Sequence, residues 1–284
     1  MREVFKLVEN SKDIVYYYET KPTFKYRYLS PAIEKILSPN LVEESMKNPY
    51  TAFELIHPDD YHVLRKKVAG ELDYSKPIVV RWRNDEGRYM WFEEYTTPIY
   101  ENGEVVAIHG IIRNIDDKVS LQQQLEYKAL HDRLTGMYNR EYFESLMDKY
   151  DKHENVPIGI VVCDLDGLKL VNDKYGHKDG DKLIRETSNI LQNFTRKNIT
   201  VARIGGDEFA ILLVNVDPSD TELFMTKIQN EVDLFNAKGT SFEIKLSIGI
   251  AYSCSSLGEM EALFVKADTA MYEDKHKKRL VGAK

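Results

Sequence analysis

The chain has 284 residues, 43% of them hydrophobic and 30% charged, and a formal net charge of −7. That acidity argues against non-specific nucleic-acid binding, two cysteines rule out a disulfide framework, and no run of about eighteen apolar residues offers a membrane span. At about 150 residues per domain the length suggests two domains, and residues 1–6 lack the apolar stretch of a signal peptide, which points to the cytoplasm.

In chain order, a first domain is expected over residues 1–115. His57-Pro58-Asp59-Asp60 reads as a helix start, with proline early and acids in the first turn, ahead of a helix over 61–70. Three strands follow at 78–82, 89–95 and 105–112, separated by the turn sequences Asn84-Asp85-Glu86-Gly87 and Glu101-Asn102-Gly103-Glu104. They form an antiparallel meander. His-Pro-Asp-Asp before a helix, with a strand reading Arg-Trp-Arg-Asn-Asp-Glu-Gly-Arg-Tyr-Met-Trp-Phe, resembles a PAS sensor domain. This part contains no cysteine, so thiol-adduct photochemistry is removed. His57 and His62 suit capping or surface roles better than haem ligation. Trp82, Trp91 and the run Tyr16-Tyr17-Tyr18 read as core and interface aromatics. The residues do not name the signal.

Residues 116–131 are polar, with Leu121, Leu125 and Ala129 at fourfold spacing and neither Gly nor Pro. The pattern predicts one helix, over 116–130 as a signalling linker, with a narrow apolar stripe. Two such helices paired as a parallel coiled coil would make a homodimer; a monomeric helix lying on its own domain is the alternative.

In the second part, 131–284, an apolar strand over 156–164 ends in Asp164-Leu165-Asp166, and i, i+2 residues of a strand share a face. Helices are expected at 168–175 and 181–194, then strands over 199–204 and 209–216. Between those strands stands Gly205-Gly206-Asp207-Glu208, read as a two-residue hairpin turn with positive φ at both glycines. An ordinary acidic surface hairpin would look the same in isolation. A helix at 220–236, a strand at 243–251 and a last helix at 259–275 complete a mixed α/β (α+β) fold with helices on a central sheet. Cys163 and Cys254 read as small buried hydrophobes.

Five blocks resemble the GGDEF family of diguanylate cyclases: His131–Arg140, the strand through Asp181, the hairpin, Ser247–Ala251 and Ala267–Tyr272. The resemblance implies a palm-like domain that condenses two GTP into cyclic di-GMP with release of pyrophosphate. It implies Mg²⁺, with Mn²⁺ as a substitute, on Asp164, Glu208 and the carbonyl of Leu165, and Asp207 helping to deprotonate the 3′-hydroxyl. Asn172 and Asp181 would read guanine; as plain residues they also fit a helix C-cap and an N-terminal cap. Gly205 and Gly206 would admit the substrate to the backbone. Lys275 and Arg279 would hold the triphosphate, although a solvated basic helix end is the bland reading. Where many members read Ala-Lys-x-x-Gly-Arg-Asn, this chain reads Asp274-Lys275-His276-Lys277-Lys278-Arg279-Leu280. The product-inhibition motif Arg-x-x-Asp becomes Arg196-Lys197-Asn198-Ile199, so weak or absent feedback is expected. No phosphodiesterase block is present. A non-catalytic GTP or cyclic di-GMP binding module and a dimerising scaffold are the competing readings, and downstream cyclic di-GMP receptors would be indirect partners.

Overall fold

The computed structural model describes residues 9–239 and 242–282; the expectation drawn from residues 1–6 lies outside them. The chain divides into two compact units, Met1–Gln124 and Leu125–Lys284.

The first unit is a five-stranded antiparallel sheet of order β2-β1-β5-β4-β3. Its strands are β1 (Ile14–Glu19), β2 (Lys25–Leu29), β3 (Ile78–Arg83), β4 (Tyr89–Glu101) and β5 (Glu104–Asn114). The expected meander is present and longer than read. Asn102 and Gly103 both have positive φ, as a two-residue hairpin turn between right-twisted strands requires. Strand β3 buries Ile78, Val80 and Trp82 and exposes Val79 and Arg83, the period-two pattern of a half-buried sheet. Against the buried face pack the short helices α1 (Ala32–Ile36) and α2 (Leu41–Lys47), and α3 (Tyr61–Ala69), through Ile33, Leu41 and Leu64. The His57 ring accepts the Asp59 N–H at 3.2 Å, which caps the turn before α3 as expected.

One polar network lies inside this core. Glu94, 0% exposed, accepts from Lys67 Nζ at 2.5 Å, from the Tyr16 hydroxyl and from Thr96 Oγ1 at 2.9 Å. Burial, and then the Glu94 charge, hold the Tyr16 hydroxyl well above its ordinary range. Beside it a cavity lined by Tyr16, Tyr18, Lys67 and Trp82 leaves about 10 Å³ free, room for one water.

The second unit is a four-stranded antiparallel sheet of order β7-β8-β6-β9. Its elements are α4 (Asp116–Leu130, cut by the unit boundary), α5 (Arg140–Lys152), β6 (Ile158–Leu165), α6 (Leu168–Tyr175) and α7 (His177–Gln192). They continue with β7 (Ile199–Arg203), β8 (Glu208–Val214), α8 (Pro218–Asn236), β9 (Leu246–Ser253) and α9 (Met260–Gly282). Every residue of β6 is buried because both sheet faces are covered. Val161, Cys163 and Leu165 pack with Leu183, Phe224 and Ile228 of α7 and α8, while Ile160 and Val162 pack with Phe143, Leu263 and Met271 of α5 and α9. Among the described residues no helix is long and apolar enough to cross a membrane.

Several boundaries differ from the sequence reading. Helix α7 begins at His177, four residues before Asp181, and α9 continues past Lys275 to Gly282. Cys163 is buried, which pushes its thiol up to about 12, but Cys254 is exposed, contrary to its reading as a core residue.

Candidate active site

The antiparallel register of β6 and β8 runs from Ile158↔Val214 to Asp164↔Glu208, so the two carboxylates are direct cross-strand neighbours at the strand ends. Leu165 N donates to the Asp207 carbonyl at 2.8 Å and closes that end of the sheet. Asp164 is only 5% exposed and meets Lys275 Nζ at 2.5 Å. Burial first, then Asp207, Asp164 and Asp268, push the Glu208 carboxyl above its ordinary range, and Arg140 offsets part of this. Burial also raises Asp166, against the Ser247 hydroxyl that donates to its Oδ2 at 2.8 Å. That bond ties Asp166 to β9.

The glycines act differently from expectation. Neither Gly205 nor Gly206 has a positive φ. The connection is a four-residue loop in which the N–H groups of Ile204 and Gly205 both donate to the Glu208 carbonyl, at 2.9 and 3.3 Å. Gly205 lies close against Glu208: a Cβ there would stand 2.5 Å from Glu208 Oε2 and would displace that carboxylate.

Arg203 was missed. Its Nη1 donates to Asp132 Oδ1 at 2.9 Å, its Nη2 to the Gly206 carbonyl at 2.7 Å, and its backbone N–H to Tyr138 O at 2.9 Å. It therefore fixes the acidic loop to the segment before α5. The signal available was that Asp132 falls in the His131–Arg140 block and Arg203 stands two residues before the Gly205-Gly206 pair.

Asn172 and Asp181 come from α6 and α7, whose connection is the single residue Gly176. Asn172 lies inside α6 and Asp181 is the fifth residue of α7, so neither is a cap. The two helices meet so tightly that a Cβ on Gly180 would stand 2.0 Å from Asn172 Oδ1. Gly180 thus lets Asn172 reach the turn that carries Asp181.

A cleft of about 1100 Å³ opens beside the carboxylates, lined by Leu165, Asp207, Lys275, Arg279 and the turn at Gly167. Both Lys275 and Arg279 belong to the continuous helix α9. Asp164, Glu208, Asn172, Asp181, Gly205 and Gly206 are not part of its wall.

Residues 129–280 match the family described as diguanylate cyclase, GGDEF domain. The chain belongs to the GGDEF family. Residues 26–112 match the PAS fold. The chain is 35% identical over 164 residues to the cyclic di-GMP phosphodiesterase PdeR of Escherichia coli, covering 57% of this chain and 25% of that protein. It is 30% identical over 263 residues to the probable diguanylate cyclase DgcE of the same organism, covering 89% and 23%. The chain thus spans about a quarter of the length of these curated relatives. The coiled coil and GGDEF domain of DgcB from Caulobacter crescentus, solved in complex with c-di-GMP, shares the fold: TM-score 0.50, 22% identity, 57% of this chain and 89% of that one.

Within this GGDEF domain Arg196 is exposed and folded onto its own turn, donating to the carbonyls of Asn193 and Thr195 at 2.9 and 2.7 Å. Ile199 opposes it in a backbone bridge and offers no acceptor side chain. Among the described residues no three His, Cys, Asp or Glu side chains gather as a metal cluster. The GGDEF acids nonetheless suit a divalent cation: two hard carboxylates stand side by side, one seated against an ammonium and the other crowded by three acids.

Proposed function

We propose that the chain is a diguanylate cyclase that condenses two GTP into cyclic di-GMP and pyrophosphate, governed by its PAS domain. The observation that carries this reading is the pairing of Asp164 with Glu208 at the ends of β6 and β8, beside a cleft that Lys275 and Arg279 line.

Asp164, Glu208 and the carbonyl of Leu165 would hold Mg²⁺, or Mn²⁺ in its place. When bound, the ion polarises the α-phosphoryl oxygens and lowers the pKa of the attacking 3′-hydroxyl. Asp207 accepts the proton of that hydroxyl. Lys275 and Arg279, four residues apart on one face of α9, bind the triphosphate, and Gly205 and Gly206 let it approach the backbone. Asn172 and Asp181 select guanine: a carboxylate accepts from N1–H and the exocyclic amine, whereas adenine offers neither and leaves the charge unpaired.

Each chain carries one such site, and the product is built from two nucleotides. A homodimer supplies both, with residues 1–115 as the sensor, 116–130 as the signalling helix and 131–284 as the cyclase, acting in the cytoplasm. A non-catalytic nucleotide-binding module would keep the guanine readers alone, and kinship with a protein named as a phosphodiesterase does not choose between the two. The intact Asp164, Asp207 and Glu208 favour turnover. Asp164→Asn and Glu208→Gln, incubated with GTP and Mg²⁺, should each lower product formation at least about a thousandfold, with circular dichroism melting preserved. Near-parental turnover in either variant would sink the assignment.

A further inference from the structure

Asp274 and Lys278 stand where many members of the family carry alanine and glycine, and the two replacements touch each other. They are four residues apart on α9, with Lys278 Nζ 2.6 Å from Asp274 Oδ2. Half-exposed, such a pair contributes little by itself. Each partner, however, also grips the backbone of β9. Lys278 Nζ donates to the Leu246 carbonyl at 2.6 Å, and Asp274 Oδ2 accepts the Ile248 N–H at 3.0 Å. Strand β9 is the edge of the sheet, paired only with β6, so these backbone groups have no strand neighbour.

The residues between and beside the pair are the phosphate-binding candidates. Lys275 follows Asp274 and reaches Asp164; Arg279 follows Lys278 and lines the cleft. A lysine instead of a glycine at 278 also favours the helix that continues through Arg279. We infer that Asp274 and Lys278 are positioning residues: they clamp the last turns of α9 to the edge of β9 and so fix where Lys275 and Arg279 stand toward the triphosphate. This rests on the cyclase reading above.

The clamp has a polarity that a plain ion pair lacks, because the strand offers an N–H to residue 274 and a carbonyl to residue 278. In the full chain, Asp274→Ala should speed exchange of the Ile248 amide hydrogen about tenfold and raise the KM for GTP by a larger factor than it lowers kcat. Asp274→Asn keeps an acceptor oxygen and should restore both readouts. The exchanged double variant Asp274→Lys/Lys278→Asp should restore neither, since an ammonium cannot accept the Ile248 N–H and a carboxylate repels the Leu246 carbonyl. Parental amide exchange or parental KM in Asp274→Ala, or rescue by the exchanged double variant, would overturn the clamp. A parent chain that makes no cyclic di-GMP would instead overturn the cyclase reading, and Ile248 exchange would still decide whether the clamp exists.

Discussion

Asp60 is gripped by one arginine three times, accepting from Arg81 N and Nε at 2.9 Å and from Nη2 at 2.8 Å. The side-chain bonds from Arg81 hold the Asp60 carboxyl below its ordinary value of 3.8. A depressed carboxylate contributes stability above its unfolded pKa and loses it as pH falls through the folded one. Asp60→Asn should therefore cost about 1 kcal/mol at pH 7, or about 3 °C in melting temperature, and the gap should close below about pH 4. A gap that stays constant from pH 7 to 3 would remove the ion pair as its cause. At the substrate, Asp181→Ser should weaken rejection of ATP by about tenfold or more and yield adenine-containing cyclic dinucleotides; product analysis that finds only guanine would mean another residue reads the base. Strand parity joined Asp164 to Asp166, and only the family resemblance paired Asp164 with Glu208, because that pairing depends on the register of β6 and β8. Arg203 was not legible, since its bond to Asp132 spans 71 positions, and Gly180 was not, since its need appears only where two helices touch.

Helix α4 buries no side chain; Leu121 and Leu125 are each 58% exposed. An apolar stripe left open in this way costs the single chain nothing to alter. Leu125→Asp should thus leave the melting temperature of the monomer within about 2 °C while light scattering reports loss of the dimer; a dimer that persists would exclude this helix as the pairing surface. The meander of β3, β4 and β5 could be read because apolar residues alternate between turn sequences. Strand β1 could not, because three successive tyrosines hide the alternation: Tyr16 and Tyr18 face the core while Tyr17 stacks on His109, ring centroids 6.2 Å apart. Helix α7 was read too short because Asp181 looked like a cap, although Gly176, with φ 89°, supplies the break four residues earlier.

For the whole molecule, the proposed reaction, with two nucleotides and one site per chain, makes activity a property of the pair. Specific activity should fall on dilution through the dimer dissociation constant, as mass action requires; constant activity per chain in a species that scatters light as a monomer would contradict the two-site reaction. The order of the blocks along the sequence was enough to read a PAS domain followed by a GGDEF domain. The interior of the PAS domain was not legible, because its cavity has room for one water beside a buried Lys67–Glu94 pair, and no residue pattern announces that. The seat of Lys275 on Asp164 carries one more consequence. One of the clustered acids is countered by a tethered amine. Under the proposed cyclase reading, a polyphosphate that draws this amine away uncovers an acid, and a cation that takes the acid frees the amine. On that reading the two ligands assist each other by equal free energies, and Lys275 carries part of the coupling.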